Sequence, residues 1–109
     1  MIEVLEYLDS VGRSPFASWF DSLDAPAAAK VNTAVTQLRG GNWSNVKGVG
    51  EGVHERRIDF GPGYRIYFGK DGEKMVILLA GGTKKRQDAD IKEAKARWND
   101  YKRRKNTGK

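Results

Sequence analysis

Between Val53 and Gly69 the chain sets a carboxylate, two arginines and a phenol at alternate positions of two apolar-rich runs. Successive side chains of a strand point to opposite faces. In "VHERRIDF" Glu55, Arg57 and Asp59 therefore share one side, and Ile58 and Phe60 the other. In "YRIYFG" Arg65 and Tyr67 oppose Ile66 and Phe68. If the apolar sides meet the helices, the other face is open and displays Glu55, Arg57, Arg65 and Tyr67 together. Arg65 then reads as a surface residue whose removal leaves the fold intact. Arginine binds phosphate in a fork and stabilises charge that develops in a transition state. A carboxylate, lysine or tyrosine can move the proton of a ribose 2′-hydroxyl. The combination suits metal-free phosphodiester cleavage; the competing reading is a solvated sheet face held by cross-strand ion pairs. His54, the single histidine, falls on the apolar side with Arg56 by parity, which puts the two at a sheet margin unless the alternation breaks there. With Asp88 and Asp90 it makes no convincing metal set.

The elements around these residues are legible from pattern. "MIEVLEYLDS" reads as a strand. Ser14 before Pro15 gives an N-cap and a first helical residue, followed by the stripe Phe16, Trp19, Phe20 and Leu23. Asp24 caps a second helix whose inner side is Ala27, Val31, Ala34, Val35 and Leu38, ended by Gly40 and Gly41. "GGNWSNVKGVGEG", with five glycines and no periodicity, reads as a loop, and its glycines lack the GxxxxGK[ST] spacing of a phosphate loop. "VHERRIDF", "YRIYFG" and "KMVILLAGG" follow as strands, the last two joined by an Asp71-Gly72 turn. The last run is apolar almost throughout, as an interior strand requires. Asp88 to Arg104 reads as a helix with Ile91, Ala94, Trp98 and Tyr101 along one side. The pattern β-α-α-β-β-β-α predicts a single small α+β domain over residues 1–109, with a mostly antiparallel sheet, helices on one face and a basic tail fraying from about residue 102.

The 109 residues carry 20 Lys and Arg against 14 Asp and Glu, a net charge of +6, and no cysteine. Disulfides and thiolate metal sites are excluded, and a polyanion such as nucleic acid is the expected partner. The charge is uneven. Residues 1–30 hold five acids and two basic residues; residues 84–109 hold eleven basic residues and four acids. Lys85, Arg86, Arg103 and Arg104 are therefore candidates for binding RNA, beside Tyr67. The N-terminus has acids where a signal peptide needs positive charge, and no apolar run approaches the ~20 residues of a membrane helix. A cytoplasmic protein without membrane contact is expected.

"GVHERRIDFGPGYRIYFG", the apolar strand, and "GGTKKRQDADIKEA" with the terminal helix resemble the RelE/ParE superfamily of toxins from type II toxin–antitoxin modules. The similarity is strongest to the HigB-like, phage Gp49-like group and covers nearly the whole chain. The resemblance implies a RelE-like α+β fold, no cofactor, and an antitoxin partner, often a helix-turn-helix DNA binder. It also implies, for many members, ribosome-dependent mRNA cleavage that inhibits translation. The phosphate-contacting arginine carries to Arg65 in G-P-G-Y-R, and the basic residue of the preceding strand to Arg57. The basic residue after the last strand carries to Lys84, with Lys85 and Arg86 as neighbours. The acid–base position, a tyrosine in some relatives, meets Asp90 here, and the second strand offers Glu55 where RelE has lysine. Two other readings stand beside the nuclease: a ParE-like inhibitor of DNA gyrase, and a degenerate phage-derived member that only binds antitoxin or operator DNA.

Overall fold

The computed structural model describes residues 1–107. Strand β1 (Glu3–Glu6) leads to helices α1 (Pro15–Asp21) and α2 (Ala25–Arg39). Strands β2 (Val46–Gly50), β3 (Val53–Ile58), β4 (Tyr64–Lys70) and β5 (Met75–Thr83) follow. One 3₁₀ turn (Lys84–Arg86) then runs into helix α3 (Gln87–Thr107). The caps form as the residue types require. Ser14 Oγ accepts from the Ala17 N–H at 3.0 Å, and Asp24 Oδ1 from the Ala27 N–H at 2.9 Å.

The five strands order as β1-β5-β4-β3-β2, with β1 parallel to β5 and the remaining neighbours antiparallel. The α+β class and the order of elements agree with the sequence, with β5 interior, and one strand is added. β2 lies in the glycine-rich stretch read as a loop. Its glycines hide any alternation, so the strand is specified by pairing with β3, Lys47 opposite Glu55 and Val46 opposite Arg56.

The helices do not share a face. On one side Phe16, Val31, Ala34 and Leu38 of α1 and α2 pack on Ile58, Ile66, Phe68, Val76 and Leu78. On the other, Ala94 and Trp98 of α3 pack on Val53, Tyr67, Ile77 and Leu79. The physical cause is the Ile91, Ala94, Trp98 stripe, which has to be buried somewhere and finds the second face of the sheet. That face is therefore a floor under α3 rather than an open surface. Helix α3 also continues three residues beyond Arg104, to Thr107, where Lys105 pairs with Asp71 at 2.6 Å.

A bulge re-aims the end of β5. Tyr67 pairs with Ala80 and Phe68 with Leu78, so two residues of β5 oppose one step of β4. Beyond it Gly81 faces α1 and Gly82 faces α3. A Cβ on Gly81 would sit 2.0 Å from the Trp19 ring, and one on Gly82 1.9 Å from Asp90 Oδ2. Gly82 is what allows the N-terminal end of α3 to lie directly on the strand, as Gly81 does for Trp19 of α1.

Candidate nucleic-acid interface

The register sets Arg57 opposite Arg65 and Glu55 opposite Tyr67, as alternation predicts. Burial then separates them. Arg57 remains exposed, whereas Arg65 is 8% exposed and Glu55 and Tyr67 are 0% exposed. Glu55 Oε1 lies 3.3 Å from Arg65 Nε and accepts the Gln87 Nε2–H at 2.7 Å. Its Oε2 lies 3.9 Å from Lys47 Nζ. A buried carboxylate is tolerated only when paired and hydrogen-bonded, and β2, β4 and α3 each supply one such group. Glu55 thus pairs with Arg65 Nε by charge alone, since that buried Nε makes no hydrogen bond. Among the described residues the two Nη groups of Arg65 have no hydrogen-bond partner, and they are not among the fully buried polar atoms.

Arg65 Nη1 lies beside the glycine turn. A Cβ at Gly63 would lie 3.9 Å from Arg65 Nη1 and 3.6 Å from Lys84 Cβ, while the Lys84 N–H donates to Gly63 O at 2.9 Å. Asp59, Gly61, Pro62, Gly63 and Lys84 line a shallow cavity of about 410 Å³ there. A guanidinium fork and an exposed ammonium at a mouth walled by glycine can receive a phosphate group. Lys85 and Arg86, both exposed on the 3₁₀ turn, extend the positive charge next to it.

Asp90 lies at the other margin. Its Oδ1 is 3.8 Å from Arg86 Nε, and its Oδ2 is buried over Gly82 without a hydrogen bond. Burial raises its pKa above the usual carboxylate value, against Arg86, which lowers it. Tyr67 is pushed up by burial first and then by Glu55 and Asp90, so it stays a neutral phenol. Being sealed under α3, it offers no ring for a base to stack on. Arg103 and Arg104 are not brought to the mouth. They sit 16 and 17 residues beyond Gln87 on α3, about 25 Å along the axis. There both are tied to Asp100, Arg103 at 2.7 Å, and Arg104 also to the Tyr7 hydroxyl. His54 belongs to the opposite face, its ring stacked on Phe68 at 5.5 Å, with burial lowering its pKa. Among the described residues no group of acidic or histidine side chains could hold a metal ion.

Gln87 carried no assignment from sequence. The only trace was its place in "GGTKKRQDAD", four residues after the last strand, where the helix that covers Glu55 begins.

Residues 18–99 match the model of the family described as Phage derived protein Gp49-like (DUF891). The chain belongs to this family, a RelE/HigB-type toxin family. The matched span of the Gp49-like chain holds every residue of the mouth and of the Glu55–Arg65–Gln87 cluster, and excludes β1, Arg103 and Arg104. The chain is also similar to an uncharacterized protein of Haemophilus influenzae (strain ATCC 51907 / DSM 11121 / KW20 / Rd). The two are 46% identical over 81 residues, which cover 73% of this chain and 82% of the relative. Among the described residues no helix is long and apolar enough to cross a membrane.

Proposed function

We propose that this Gp49-like protein is the toxin of a type II toxin–antitoxin pair and acts in the cytoplasm as a metal-independent, ribosome-dependent mRNA endonuclease. The observation that supports the reading is the pair of unpartnered Arg65 Nη groups held beside Lys84 at the Gly61–Gly63 turn. In cleavage, the ribose 2′-hydroxyl attacks the adjacent phosphorus, and the 5′-oxygen of the next nucleotide leaves. Arg65 and Lys84 would bind the phosphate and stabilise its added charge, with Arg57 and the 3₁₀ turn steering the strand. Asp90, with its raised pKa beside Arg86, is the acid–base candidate of the terminal helix, and Asp59 is the carboxylate that lines the mouth itself. Glu55 is sealed from solvent and acts on the substrate only through Arg65. The protein partner in this reading is an antitoxin of the helix-turn-helix type.

One observation favours a second reading. Glu55, Tyr67 and Asp90, the acid–base candidates of this face, are all buried, so none of them is open at the mouth to take the proton, and the exposed acid there is Asp59. A toxin that acts by binding, such as a ParE-like inhibitor of gyrase, would need none. Mapping RNA 5′ ends after induced expression separates the two. New ends inside translated messages support the nuclease. Intact messages with accumulating gyrase–DNA breaks overturn it in favour of the binder.

A further inference from the structure

A second cation is buried on the opposite face of the sheet, with no carboxylate at ion-pair distance among the described residues. Arg56 is 8% exposed, under α2, where neighbouring positions of the sheet are apolar. Its two Nη groups donate to Gln37 Oε1 and to the Arg57 carbonyl, both neutral acceptors. Its Nε is buried with no hydrogen-bond partner. Among the described residues no carboxylate lies within 4.0 Å of it. Burial alone acts on its titration, and lowers its pKa. A buried, uncompensated charge is among the costliest groups a fold can hold, and a Leu or Met at this position would simply add apolar burial. Such breaks with the local pattern are expected where a site is built.

The surroundings carry an excess of positive charge, Lys30, Arg56 and Arg57 against the single acid Asp59. Arg56 lines a cavity of about 200 Å³ between α2 and β3, together with Lys30, Thr33, Asn45 and Asp59. That is several times the ~30 Å³ share of one water, room enough for a tetrahedral oxyanion. Lys30 is held nearby, its Nζ 5.4 Å from the centre of the Phe60 ring. Asn45, in left-handed backbone at φ 63°, gives its carbonyl to the Arg57 N–H and thereby shapes the rim. Asp59 lines both this cavity and the glycine mouth, so the two lie on either side of one residue.

We propose that the cavity at Arg56 is a phosphate-binding subsite, with Arg56 and Lys30 as its cations. The phosphate is either a free oxyanion or a neighbouring phosphodiester of a strand held at the mouth. The second source rests on the RNA-cleaving reading; the oxyanion site does not. The test is a titration of the protein with inorganic phosphate at constant ionic strength, followed by ¹⁵N NMR. The Gln37 side-chain amide and the Asn45 and Arg57 backbone amides should shift and saturate. Lys30→Ala should weaken that response about tenfold, and Arg56→Met should abolish it, while shifts at Gly61 and Gly63 persist. Lys30 is exposed, so its variant keeps the test valid if Arg56→Met folds poorly. No saturable shift in the parent, or equal shifts in both variants, overturns the site. A parallel titration with a single-stranded RNA assigns the source. A loss of about 0.7 from the slope of log affinity against log salt in Lys30→Ala marks a phosphodiester. An unchanged slope, with the phosphate response lost, marks a free oxyanion.

Discussion

Replacing Arg65 by alanine does more than remove a phosphate ligand, because the guanidinium is the closest counter-charge of a carboxylate that is 0% exposed. Breaking a buried pair from one side costs about 3–5 kcal/mol. Gln87 still donates to Glu55 at 2.7 Å and Lys47 stands at 3.9 Å, so the lower end of that range is expected. Domains of this kind are stable by about 5–15 kcal/mol, so the loss is a large fraction of the whole. At about 4 °C per kcal/mol for a chain near this length, Arg65→Ala should melt about 12 °C below the parent. Removing both charges should undo most of the damage. In Glu55→Gln/Arg65→Ala the amide oxygen at position 55 still accepts from Gln87 and no buried charge is left. The assay is thermal and urea unfolding of the parent, both single variants and the double variant. The double variant should recover about 2 kcal/mol relative to Arg65→Ala. It is then the folded form in which to ask whether growth inhibition needs the guanidinium. An Arg65→Ala melt within about 2 °C of the parent, or a double variant no better than the single, would refute the buried pair as a structural element.

Lys84→Ala, by contrast, touches an exposed side chain, so it should leave melting unchanged while lowering RNA cleavage by about 10²–10³-fold, read from 5′-end yields. Gly82→Ala forces a methyl to within 1.9 Å of Asp90 Oδ2 and should shift the denaturation midpoint by the equivalent of about 1–3 kcal/mol, with hydrogen exchange rising at the N-terminal end of α3. Asp90 has a folded-state pKa above its usual 3.8, so the folded protein holds that proton longer than the unfolded chain does. Its favourable contribution is present below pH 3.8 and lost as pH rises through the folded-state value. Asp90→Asn should therefore gain stability relative to the parent across that window and keep the gain at neutral pH, as urea midpoints at stepped pH would show.

Local chemistry determined the parts that depend on neighbours along the chain. Ser14-Pro15 and Asp24 start helices because a side-chain oxygen can reach the N–H three residues on, whatever the rest of the protein does. Alternation placed Glu55, Arg57, Arg65 and Tyr67 on one face and His54 with Arg56 on the other, because side-chain direction in a strand has a period of two. The charge asymmetry and the G-P-G-Y-R and G-G-x-K segments pointed to the family and to the mouth at Arg65 and Lys84. What lies over each face was not in that information. The stripe of α3 showed only that it needed a cover, and the fold chose the second face of the sheet, turning an open charged surface into a buried ion pair. β2 was invisible because its glycines carry no pattern and its partner is β3. Gln87, 32 residues from Glu55, and Gln37, 19 residues from Arg56, meet their partners only across packed elements. Sequence types and spacing set which way each side chain points; long-range packing alone decides whether it then meets water, an ion of opposite sign, or none.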